Sequence, residues 1–253
     1  MRVWDIHPGY LSRQSLLGQH AEIHALAGII IGGKKGYAAH PETLRWKNAL
    51  AGLRRCHDLT VLEMLLRGFK HASPFPGCET VRVTGHGCSR RVYLDSPVQQ
   101  IAILKRKYLE REQSGRIPLP ENGCQYWAQH KYSVMARGYA YYKDVQSYLR
   151  DTGGSSLKEP DELIERILNL LELPVTRPAL ANVVDHLWGY FKREASDEEK
   201  SFYLLKRDCD QAALVRYLFD LAVKYKKSYL LQSTIFADFT APSPGIPSRS
   251  EYK

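Results

Sequence analysis

The 253-residue chain is 44% hydrophobic, 25% charged and 11% aromatic, which excludes a disordered or low-complexity protein and leaves enough apolar residues for real cores. Its formal charge of +9 sits wholly in one half: residues 1–120 hold 18 of the 36 basic and 9 of the 27 acidic side chains, so the remainder is neutral. A positive field confined to one half points to a polyanionic partner, nucleic acid, because binding phosphates releases condensed counterions.

In chain order, the opening MRVWDIHPGY lacks an apolar stretch of signal-peptide length. Ser12 can cap a first helix, carried by Leu16, Leu17, His20, Ile23, His24 and Leu26 to Ile31 and ended by Gly32 and Gly33. Its apolar run from Ala25 to Ile31 is too short to span a bilayer, so the chain is expected in the cytoplasm and off the membrane. After a loop with Lys34 and Lys35, Pro41 suits a first helical position. Apolar spacing at Leu50, Leu53, His57, Val61, Met64 and Leu65 then predicts one long second helix to about Phe69. Val81 and Val83, then Val92 and Leu94, flank Gly85, His86 and Gly87 as a small hairpin would. Ser96 and Pro97 open a helix to Glu112 that carries Lys105, Arg106 and Lys107.

Gly115 to Gly123, with Pro118 and Pro120, reads as a seam between domains. Beyond it helices are predicted near 124–137, 139–150, 160–173, 178–194, 197–207 and 209–226, with Ser196 and Glu199 as a capping box. Gly153 to Ser156 suits a flexible connector. The expected fold is mainly α: a compact helical domain over 1–118 with room for a small β-hairpin, a helical-bundle domain over 122–240, and a flexible tail over 241–253. The five cysteines (Cys56, Cys78, Cys88, Cys124, Cys209) include no CxxC pair, so reduced thiols are expected, and no phosphate-binding glycine loop is present.

Chemistry concentrates at the start, where Arg2, Asp5, His7, Arg13, His20, Glu22 and His24 lie within or just before one helix. An α-amine is less basic than a lysine, so part of it is nucleophilic at neutral pH. The amine of Met1 beside the Glu22 carboxylate and an arginine could form an imine at a sugar C1′, followed by proton abstraction and strand cleavage. The competing reading is an ordinary helix start with Glu22 in a salt bridge.

The opening MRVWDIHPGYLSRQSLLGQHAEIHAL, the turn GGKKGYAAHPETLRW and the helix ending LEMLLRGF resemble the pyrimidine-dimer DNA glycosylase family, of the phage endonuclease V type, over residues 1 to roughly 115. That resemblance implies a repair glycosylase with AP lyase activity on UV photoproducts or another modified pyrimidine in damaged double-stranded DNA. Met1 supplies the amine, Glu22 the essential carboxylate and Arg2 a phosphate contact. Arg13, His20, His24, Lys34, Lys35 and Arg45 would extend the nucleic-acid grip. The arginines that the family places just before the glutamate and three residues after it are Ala21 and Ala25 here.

In the second half, AQHKYSVMAR (128–137), NVVDHLWGYFK (182–192) and SYLLQST (228–234) resemble the YbgA-like domain of unknown function, from Tyr126 to Phe239. This resemblance implies an accessory role on nucleic acid, and His130, Lys131 and Arg137 are the expected contacts. The alternative function is a non-catalytic or RNA-directed module reading tRNA. A third reading, metal-dependent hydrolysis, rests on His20 and His24 standing four apart on one helix face. Glu22 lies on another face and no cysteine joins them, so no metal and no other cofactor is expected. Oligomeric state is not legible.

Overall fold

The computed structural model describes residues 1–77, 92–152 and 160–239. The predicted connector and tail lie outside them, as does most of the predicted hairpin; Val92 and Leu94 lie inside and carry no strand. Among the described residues the protein is helical, with no sheet and one isolated β-bridge, Ser12 to Gly115.

After a 3-10 turn at Pro8–Tyr10 comes α1 (Arg13–Gly32). The Ser12 hydroxyl accepts from the Ser15 amide at its start, and Gly33 ends it in the left-handed region at φ 59°. The predicted long second helix is two helices, α2 (Pro41–Trp46) and α3 (Leu50–Leu66). Ala49 leaves the helical region (φ −130°, ψ 37°), and the bend lays the Trp46 ring against Gly52, where a Cβ would meet it at 3.2 Å. There follow α4 (Pro97–Arg111), α5 (Gly123–Met135), α6 (Tyr139–Asp151), α7 (Pro160–Leu171), α8 (Arg177–Trp188), α9 (Asp197–Lys206), α10 (Gln211–Lys224), α11 (Ser228–Leu231) and α12 (Ile235–Asp238). The predicted 178–194 helix stops at Trp188, where the amides of Tyr190 and Phe191 turn back to Leu187 and Trp188 in tight three-residue bonds. The capping box at Ser196 and Glu199 forms as predicted.

One core packs Leu180, Val184, Leu187, Phe191, Leu214 and Leu218 of the second half together with Leu66 of the first. Another is shared: Trp4, Ile6, Tyr10, Leu16, Ile101 and Leu104 from the first half close on Tyr126, Trp127, Val134, Ile164 and Ile167 from the second. A third, of Val3, Ile23, Leu26, Trp46, Leu53 and Phe75, lies within the first half. Where 115–117 passes the N-terminal segment the backbones touch. The Ile117 amide donates to the Gly9 carbonyl at 2.9 Å, and a Cβ on Gly115 would collide with the Tyr10 carbonyl.

Polar groups reinforce the joint. The Glu63 carboxylate, fully buried, accepts from Arg67 at 2.7 Å and from two nitrogens of Arg116 at 2.8 Å. Arg67 also donates to the carbonyls of Leu11 and Gly9, and Arg116 to those of Leu231 and Ser233. Burial pushes the Glu63 carboxyl up, but Arg116 and then Arg67 outweigh it and hold it below the ordinary value.

Candidate functional site

The N-terminal segment is held by its backbone. The amide of Val3 donates to Glu42 of α2 (3.2 Å), that of Trp4 to Gln19 of α1 (2.8 Å), and that of Asp5 to Gln100 of α4 (2.8 Å). Glu42, Gln19 and Gln100 are buried, so three helices fix the extended segment that carries Met1. Chain termini ordinarily fray for want of such partners. Sequence reading missed all three; Gln100 could have been found as a polar residue interrupting the apolar face of Ile101, Leu104 and Tyr108.

Met1 is half-buried and packs on the third core, which includes Ile23, the residue after Glu22. Glu22 is also half-buried, and among the described residues neither it nor the Met1 amine has an ion-pair partner within 4.0 Å. Arg2 is engaged, paired with Asp95 and lying over the Trp4 ring at 4.9 Å.

Of the other predicted contacts, Arg13, Lys34 and Lys35 are exposed, with Arg13 over Phe69. Lys131 lies over the rings of Tyr132 and Tyr229. Arg45, by contrast, has a side chain 4% exposed that grips Asp5 through two bonds of 2.8 and 3.1 Å. Arg137 is spent on Asp238 and the carbonyls of Ser133 and Leu171. His130 is wholly buried, stacked on Tyr126 at 4.0 Å, and burial lowers its pKa to about 3. As placed, Arg45, His130 and Arg137 face inward, toward their buried partners and the space between the halves, and not onto an exposed surface.

His20 and His24 do not stand alone. His57 of α3 and His71, beyond α3, join them, and one ring nitrogen from each of the four lies within 4.8 Å of the others. Nothing in the spacing announces this, since His57 and His71 arrive through the packing of α3 on α1. Burial, followed by the neighbouring His24, His57 and His71, lowers the pKa of His20 to about 4. His24 moves the same way, again through burial first and then His57 and His71.

Between the halves lies a cavity of about 740 Å³, walled by Trp4, His7 and Arg45 on one side and by His130, Arg137 and Asp238 on the other. Neither Met1 nor Glu22 lines it. Its charges are mutually paired, Asp5 with Arg45, Arg55 with Glu172 and Arg137 with Asp238, which leaves few ionic groups for a ligand.

Two family models cover separate parts of the chain. Residues 1–76 match the model described as pyrimidine dimer DNA glycosylase. Residues 131–240 match a family described as a protein of unknown function, DUF1722. Both resemblances read from the sequence are therefore borne out. No curated protein and no solved structure gives a match. The glycosylase model covers α1, α2 and α3, hence Met1, Glu22, all four clustered histidines and the Glu42 and Gln19 supports of the terminus.

Proposed function

We propose that the first half is a pyrimidine-dimer-type DNA glycosylase with lyase activity, and that the Met1 α-amine is its nucleophile when Met1 opens the chain. The observation that carries this reading is the anchoring of the N-terminal segment: three buried side chains on three helices hold the amides of residues 3, 4 and 5. A nucleophile needs a fixed approach, and a terminus so held keeps its amine in one place. The amine nitrogen attacks C1′ of a flipped-out damaged nucleotide. The C1′–N bond to the base breaks, and the base leaves with the electron pair and a proton. One amine proton goes to the departing base; the other passes to O4′ as the C1′–O4′ bond breaks, which opens the sugar ring and gives an imine. Glu22 then takes a proton from C2′, and the C3′–O bond breaks, its electron pair leaving with the downstream strand, which ends in a 5′ phosphate. Arg13, Lys34 and Lys35 supply exposed charge for the backbone.

Borohydride reduction on duplex DNA carrying cyclobutane dimers tests this. Native chain should be trapped as a covalent adduct that maps to Met1, whereas Glu22→Gln should lose strand cleavage by about 100-fold or more. Absence of adduct, or an adduct on a lysine, would sink the amine mechanism. Binding to tRNA tighter than to damaged duplex at the same salt would favour an RNA-directed module instead.

A further inference from the structure

Four imidazoles from three stretches of chain that sequence reading did not connect converge beside α1. We propose that His20, His24, His57 and His71 form a binding site for a late first-row divalent cation, zinc foremost, that ties α1 to α3 and to the segment following it. The inference goes beyond the proposed amine chemistry and stands or falls independently of it.

The geometry is close to that of a bound ion. The Nε2 atoms of His20 and His24 lie 3.2 Å apart, near the edge of about 3.4 Å in a tetrahedron of zinc–nitrogen bonds. All four donor atoms fall within 4.8 Å of one another, so small rotations of the imidazoles would close the set. Two of the four point to a missing ligand directly: Nε2 of His57 and Nε2 of His71 are buried and have no hydrogen-bond partner. Buried ring nitrogens normally find one. The His57 side chain is 4% exposed, and its Nδ1 lies 2.9 Å from the Asp58 carboxylate. That contact suits the tautomer with a proton on Nδ1, which leaves a lone pair on the unpartnered Nε2 for a metal, the arrangement in which a carboxylate orients a metal-bound histidine.

The donor set selects the ion. Four neutral nitrogens with no carboxylate among them suit zinc, copper or nickel and disfavour magnesium and calcium, which take oxygen ligands. Four protein ligands also complete a tetrahedron, leaving no open position for water, so the site is structural and does not serve the metal-dependent hydrolysis considered from His20 and His24 alone. Phe75 meets the His57 ring edge-on at 5.5 Å and belongs to the core on which Met1 packs, so a bound ion would stiffen one wall around the terminus.

The test uses the full chain, stripped with chelator and titrated with zinc chloride, then with cobalt chloride as a spectroscopic stand-in. About one zinc should bind per chain, with a rise in thermal midpoint that chelator reverses, and cobalt should give the intense visible bands of tetrahedral coordination. His24→Gln and His71→Gln, both at partly exposed positions, should each weaken zinc binding by at least about 100-fold, while the exposed His186→Gln leaves it unchanged. If either cluster variant loses its helical signal, the native cobalt spectrum and the other variant still decide. Zinc affinity equal in native and variant chains, no zinc binding, or weak octahedral cobalt bands would each overturn the proposal.

Discussion

At the scale of single residues, His7 ties the pH dependence of stability to the joint between the halves. It is buried, its Nδ1 accepts from the Gly9 amide at 2.9 Å, and its Nε2 lies 4.0 Å from Asp238. Burial lowers its pKa from 6.5 to about 4, against the opposing pull of Asp238. A histidine kept neutral in the fold but free to protonate when unfolded makes the unfolded state the better proton acceptor between those two values. Stability from this group is therefore fully present above pH 6.5 and declines as the pH falls toward 4, by on the order of 3 kcal/mol. Denaturant unfolding at a series of pH values should show that slope, and His7→Asn should flatten it; an unchanged slope would mean that other groups dominate. Glu22, His20 and His24 could be singled out from residue type and position on one helix, and Met1 from its α-amine. His57 and His71 could not, because their meeting with His20 depends on how two helices pack, and no local spacing encodes that.

At the scale of elements, caps were the most legible features. Ser12, Ser196 with Glu199, and the prolines at helix starts all appear where short-range rules put them, since each acts on amides within a single turn. The break between α2 and α3 escaped, because apolar residues on either side of Lys47 to Ala49 keep a helical period while the bend is set by the packing of Trp46 on Gly52. Ser12 shows what a cap contributes here. Its hydroxyl accepts from the Ser15 amide (3.2 Å), and its own amide donates to the Tyr108 hydroxyl. Ser12→Ala should lower the unfolding free energy by about 1 to 2 kcal/mol in chemical denaturation. A change below a few tenths would show that α1 is held by its packing alone.

At the scale of the whole molecule, the sequence suggests two successive domains, and the two family models match separate stretches, 1–76 and 131–240. The packing joins them: a buried core draws on both, Tyr10 donates to Gln129 at 2.7 Å, and Arg116 links Glu63 to the carbonyls of Leu231 and Ser233. The mainly helical class was legible from periodicity, whereas a shared core was not, because apolar residues do not state which half they face. Heating should therefore give one transition, with calorimetric and van't Hoff enthalpies in agreement, and a fragment of residues 1–118 should not fold, since it would expose Tyr10, Leu16, Ile101 and Leu104. Two resolved transitions, or a folded fragment, would show that the halves are independent.

The anchoring of the first residues also sets an order of events during synthesis. Val3 and Trp4 find Glu42 and Gln19 early, but Asp5 waits for Gln100, Gly9 for Ile117, and His7 for Asp238. At a ribosomal rate of about 5 to 20 residues per second, more than 200 residues separate the emergence of His7 from that of its carboxylate partner, a delay of roughly 10 to 50 s. The segment that presents the α-amine thus leaves the ribosome long before the partners that complete its anchoring.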